Sequence, residues 1–132
     1  MSARAQVVVA ALLLCSTACH DRGAFEPATV SRRLTDAGFV VTVGAAPADL
    51  AGRAGVVAVS CVDAKDGPAV TTFCVVQCSS ERACSAVYGG THESFGSWQR
   101  GASLLIQERC AATPAGPTSV DCGVGRAALG VE

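Results

Sequence analysis

Eight cysteines, Cys15, Cys19, Cys61, Cys74, Cys78, Cys84, Cys110 and Cys122, are the residues of this 132-residue sequence with the most chemistry to offer. Thiols can ligate a metal, attack a substrate or couple into disulfides, and spacing separates these uses. Structural zinc sites favour Cys-x2-4-Cys knuckles, often completed by His. Apart from Cys15-x3-Cys19 near the N-terminus, Cys74-x3-Cys78 is the only such pair, and on a strand both members fall on one face. A thioredoxin-like centre needs Cys-x2-Cys and haem attachment needs Cys-x2-Cys-His, and neither motif is present. We therefore expect no metal and no cofactor, and read Cys61, Cys74, Cys78, Cys84, Cys110 and Cys122 as a disulfide framework. Sequence alone leaves many pairings open. The favoured one is Cys110 with Cys122, across a loop containing Pro114, Gly116 and Pro117; Cys61 could reach Cys74 across a hairpin, which leaves Cys78 for Cys84.

A second group of reactive side chains is Thr91-His92-Glu93-Ser94, followed by Phe95, Trp98 and Arg100. Imidazole can serve as a general base and a hydroxyl as a nucleophile. Neighbours in sequence rarely reach triad geometry, however, and the chain has no Gly-x-Ser-x-Gly elbow, no His-Glu-x2-His and no phosphate loop. We expect no enzymatic activity and no catalytic residue; the alternative is a small exported hydrolase using His92, assisted by Glu93 or Ser94. Tyr88, His92, Phe95, Trp98 and Arg100 are the candidate contact residues for a partner, since aromatic and Arg side chains anchor interfaces. Against that stands the commoner role of such rings, which is to close the edge of a small core.

The N-terminus bears on where these cysteines reside. Arg4, the apolar run Val7 to Leu14 and the small residues Ser16, Thr17 and Ala18 follow the order of a secretory signal. The run is too short to span a bilayer, which takes about 20 apolar residues. Cleavage is expected after Ala18, with residues 1–18 as signal peptide, and Ser16-Thr17-Ala18-Cys19 resembles the bacterial lipobox apart from Ser16, where that motif usually has Leu. Lipidation of Cys19 would leave an even set of six cysteines for disulfides. We expect residues 19–26 to be a lipid anchor and tether, residues 27–132 to be one domain, and the protein to be exported and membrane-anchored in the cell envelope, or otherwise secreted.

Charge excludes one class of partner. The ten basic residues include Arg4, so nine remain after cleavage against eleven acidic ones, and no basic cluster exceeds Arg32-Arg33. Nucleic-acid binding has no electrostatic footprint in such a chain. A protein or another envelope component, together with the membrane reached through the anchor, are the expected partners.

The elements that must position these groups are legible in outline. Pro27 suits the first turn of a helix whose Val30, Leu34 and Ala37 make one apolar face and which Gly38 ends. Strands are expected at Phe39–Val43, Val56–Val62, Thr71–Cys78 and Gly101–Arg109, with a short helical turn at Ala48–Ala51 and Asp66-Gly67-Pro68 turning one strand into the next. Ser79-Ser80-Glu81 is an N-cap and acidic first turn for a second helix, ended by Gly89-Gly90. Thr91 to Gln99 reads as loop, and Val120–Leu129 as a last helix weakened by Gly123 and Gly125. The order implies an α+β fold, an antiparallel sheet of about four strands with helices packed on one face, stapled by disulfides.

From Pro27 onward the layout is similar to a group of small exported bacterial lipoproteins of unknown function. The similarity rests on Val30-x3-Leu34-x2-Ala37-Gly38-Phe39, the strand-then-helix at 71 to 88, and Trp98-Gln99-Arg100-Gly101 before an apolar strand. It implies a lipid-anchored envelope protein and carries no catalytic residue with it. The six cysteines set this chain apart from that group.

Overall fold

A computed structural model describes residues 23–89, 96–112 and 122–131. The chain is α+β: helices α1 (Pro27–Asp36), α2 (Ala48–Ala51), α3 (Glu81–Gly89) and α4 (Gly123–Leu129) surround strands β1 (Val40–Gly44), β2 (Val56–Asp66), β3 (Ala69–Cys78), β4 (Gly96–Arg100) and β5 (Ser103–Ala112). The strands form one antiparallel sheet in the order β1-β2-β3-β5-β4.

Local chemistry explains most boundaries. Pro27 occupies the first turn of α1, and Gly38, at φ 98°, leads out of the helix as the Phe39 amide donates back to the Leu34 carbonyl. The Ala83 amide donates to Ser80 Oγ at 3.0 Å, capping α3. β2 turns into β3 through Gly67-Pro68, and the φ of 57° at Gly67 is the positive value that the first position of a tight hairpin turn of this type requires.

The sheet has five strands rather than about four. The additional one, β4, takes up the end of the stretch Thr91 to Gln99 expected to be loop and runs on to Arg100. Gly101-Ala102 turns it into β5, pairing Arg100 with Ser103. Gly96 and Ser97 have low strand propensity, so the period-two alternation of Trp98 and Arg100 was the sole local signal.

The helices also divide between the two faces instead of sharing one. Phe73, Val75, Ala64 and Leu105 point to the face covered by α1 (Val30, Leu34) and α4 (Leu129). Val76, Cys78, Leu104 and Ile106 point to the opposite face, under α2 (Leu50) and α3 (Cys84, Val87). The physical reason lies in the central strands. β3 is buried without interruption from Thr71 to Val76, and Leu104, Leu105 and Ile106 of β5 are consecutive and fully buried. Unbroken apolar runs put hydrophobic side chains on both faces, and one layer of helices covers only half of them.

The core also begins earlier than the sequence suggests. Phe25, expected in the tether, is buried among Val30, Leu34 and Leu105, and its amide donates to Ser103 Oγ at 2.8 Å. Position 25 thus belongs to the packed domain.

Candidate functional site

Three disulfides bind the sheet to itself and to its helices. Cys61–Cys74 joins directly opposed residues of β2 and β3, Cys78–Cys84 ties the end of β3 to α3, and Cys110–Cys122 ties β5 to the start of α4. These are the pairs expected from the spacing. Each half-cystine lacks the free thiolate that a metal or substrate would need, and among the described residues no group of three or more His, Cys, Asp or Glu is placed to hold a metal. Disulfides form and persist in oxidising compartments, so the domain belongs to an extracytoplasmic environment. Among the described residues no helix is long and apolar enough to cross a membrane.

The candidate contact residues are parted by the sheet. Trp98 and Arg100, two apart on β4, share the α1 side, where the indole packs against the core and the Arg100 guanidinium carbon stands 4.5 Å from the centroid of the Phe25 ring. Such a cation over a ring is held by the ring's negative face. Tyr88 is on α3, over the opposite face; it is half-exposed, and its hydroxyl donates to the Ser97 carbonyl at 3.4 Å. Between the two, Gln99 fastens β4 to α3: its Nε2 donates to the Glu81 carbonyl at 3.0 Å, to Ser85 Oγ at 3.1 Å and to the Gly101 carbonyl at 3.2 Å. His92 and Phe95 lie outside the described residues, as do Glu93, Ser94 and the whole of positions 1–22 with Cys19.

Gly96 fixes how Trp98 sits. A β-carbon at position 96 would fall 2.6 Å from the indole Cη2, so the ring lies folded along its own strand over the glycine. Gly96→Ala must push the ring away from this position. As Trp98 is the sole tryptophan, its fluorescence reads the change directly. We expect a red-shifted emission and a stability loss of about 1 kcal/mol from the overpacked contact; an unshifted spectrum would show that the indole does not depend on Gly96.

Two features were not marked as sites by sequence reasoning. A shallow cleft is lined by Phe25, Val30, Arg33, Arg100 and Leu129 beside the point where the described chain begins. Arg33 has a structural duty there, donating to the Leu129 carbonyl at 3.4 Å near the end of α4. A second concavity, of about 400 Å³, lies between the first turns of α1 and the β1–β2 edge. Only Arg32-Arg33 carried a sequence signal for the first, and nothing local signalled the second.

Opposite Gly96 on β5, Gln107 is fully buried. Its Nε2 donates to Thr71 Oγ1 at 3.1 Å and to the Cys122 carbonyl at 3.0 Å. The side chain therefore joins β3, β5 and the start of α4, near where Cys110–Cys122 ties β5 to α4 covalently. No protein-family model, no curated protein and no solved structure matches the chain.

Proposed function

We propose that the protein is an exported lipoprotein, tethered through Cys19, whose disulfide-stapled domain acts outside the cytoplasmic membrane as a non-enzymatic module that binds a protein or envelope component. The observation that carries this reading is the use of cysteine. All six cysteines from Cys61 to Cys122 are consumed in disulfides. Removal of residues 1–18 takes Cys15 with it and leaves Cys19 as the one thiol without a partner in that set. A lipid thioether uses that thiol, and the lipobox-like Ser16-Thr17-Ala18 before it suits cleavage there. The contact surface is assigned to the stretch 89–100, with Tyr88 beside it on one face of the sheet and Trp98 and Arg100 on the other, so that a partner reaches one of the two sets at a time.

Intact mass of the protein from a bacterial envelope fraction, with thiols alkylated before and after reduction, tests the reading. The expected species starts at Cys19, carries a diacyl or triacyl group, and exposes six further cysteines only on reduction. A chain that keeps residues 1–18, or a Cys19 that alkylates without reduction, would overturn the anchor. Hydrolysis of ester or peptide substrates that disappears on His92→Ala replacement would overturn the non-enzymatic assignment.

A further inference from the structure

The turn between β4 and β5 fixes the point at which the chain enters the domain. The Phe25 amide donates to Ser103 Oγ at 2.8 Å, and that hydroxyl donates in turn to the Arg100 carbonyl at 2.7 Å. The Arg100 guanidinium covers the Phe25 ring from the same turn, and a β-carbon at Gly101 would stand 3.5 Å from the Gly23 carbonyl. Gly23 to Phe25 are therefore clasped against one end of the sheet. The β2–β3 hairpin at Gly67 is the other end, since β3 pairs with β5 from Gln77 with Ser103 to Ala69 with Ala112.

Charge is divided between these two ends. Arg33 and Arg100 line the cleft beside Phe25, and Arg32 and Arg33 line an adjoining hollow on α1, with Glu26 as the single carboxylate of both. Three guanidiniums thus face one carboxylate where the chain enters. Arg53 and Arg82, near the starts of β2 and α3, are balanced by Asp49 and Glu81. At the far end the hairpin strand carries Asp63 and Asp66 against Lys65, and α1 ends at Asp36, four residues before Val40 pairs with Lys65. A guanidinium stacked on a ring keeps its in-plane N–H donors, whose fork matches the oxygens of a phosphate.

We propose that this entry end is a membrane-docking face, on which Arg32, Arg33 and Arg100 bind the anionic phospholipid headgroups of the bilayer that holds the anchor. The docking rests on the lipid anchor at Cys19. Cys19 stands four residues before Gly23, and four residues reach at most about 14 Å. The headgroup layer takes up about 5 to 7 Å of that reach. What remains is close to one Debye length at physiological ionic strength, ~8 Å, so the clasp holds the three arginines where a charged surface still acts on them. The tether adds no net charge of its own, with Asp21 beside Arg22. In this orientation the acidic hairpin points away from the bilayer, at the far end of the sheet.

Vesicle partitioning of the oxidised chain from Cys19 onward, with Cys19 joined to a tetradecyl maleimide, tests this. The alkyl chain is supplied whatever the cell attaches at Cys19, so a failure to dock and a failure to be lipidated are read separately. One chain of this length gives a marginal partition of about 10⁴ M⁻¹, which leaves room to see a second contact. Replacing about one-third of the phosphatidylcholine in the vesicles by phosphatidylglycerol should raise the partition by about tenfold or more, and ~0.5 M salt should remove the gain. The chain from Cys19 has eleven acidic residues against nine basic ones, so without a preferred face anionic vesicles would repel it. Arg32→Gln with Arg100→Gln should lower the anionic partition by about tenfold or more, at roughly fivefold for each charge. Lys65→Gln, at the far end, should leave it unchanged. Arg100→Lys keeps the charge and should keep the gain, which separates headgroup binding from loss of the Phe25 contact. A partition that phosphatidylglycerol leaves unchanged or lowers would overturn the proposal. So would a gain that survives the double replacement, or one that Lys65→Gln removes equally.

Discussion

Reduction of the three disulfides should unfold this domain at room temperature. The bonds close separate stretches of chain, with sequence separations of 13, 6 and 12 residues. Restricting the unfolded chain over loops of that size stabilises the native state by about 3, 2 and 3 kcal/mol respectively. Because the loops do not overlap, the contributions add to roughly the stability of a whole small domain. The expected result is a cooperative loss of near-ultraviolet circular dichroism with added dithiothreitol at 25 °C. The bonds should also open in order. Cys110 and Cys122 are only half-buried, whereas Cys74 and Cys84 are fully buried, so timed alkylation should label Cys110–Cys122 first. A reduced domain that melts where the oxidised one does would show that the two cores suffice without the bonds.

Phe73→Ala should be the most damaging single substitution in the apolar core on the α1 side. Phe73 is fully buried at the middle of β3, among Leu34, Val75, Leu105 and Leu129. Truncating a buried Phe forfeits its transfer free energy and leaves a cavity, at a cost of about 3 to 5 kcal/mol. The site has little room to collapse, because the ring also supports α4 where that helix passes closest to the sheet. A β-carbon at Gly125 would sit 2.9 Å from Phe73 Cε2 and 3.4 Å from Thr71 Cγ2. Gly125→Ala alone should therefore destabilise despite a gain in helix propensity of about 1 kcal/mol, since overpacking costs about 1 to 3 kcal/mol. In the double variant the added methyl enters the space vacated by the ring. The two effects should then sum to less than their separate values, a coupling that a double-mutant cycle on urea midpoints measures. Strict additivity would mean that α4 does not rest on Phe73.

Gly125 shows why sequence reading goes only so far. As a local signal it weakens a helix, and that reading is correct as far as it goes. Its purpose is visible only once α4 is seen lying against the Phe73 ring. Gly96 repeats the lesson, because its missing side chain makes room for an indole on its own strand. The concavity beside α1 has no sequence signature at all: α1 and β2 supply its walls from positions some thirty residues apart, and a window along the chain never sees them together. Gln107 is a polar residue in an apolar strand, and only its contact with the start of α4 makes it a buried bridge.

By itself the sequence determined what depends on near neighbours and on side-chain type. Pro27 and Gly38 bounded α1, Ser80 capped α3, and Gly67-Pro68 closed the hairpin. The cysteine pairs follow from the same short range, since each joins elements adjacent along the chain. Only the tertiary structure decided which side of the sheet each helix covers. A strand's two-residue period separates its faces without saying which helix will reach which. That choice fell to the packing of β3 and β5, apolar on both sides, whose second face had to be removed from water by α2 and α3. It also parted Trp98 from Tyr88, which are ten residues apart in sequence and lie on opposite faces of the sheet.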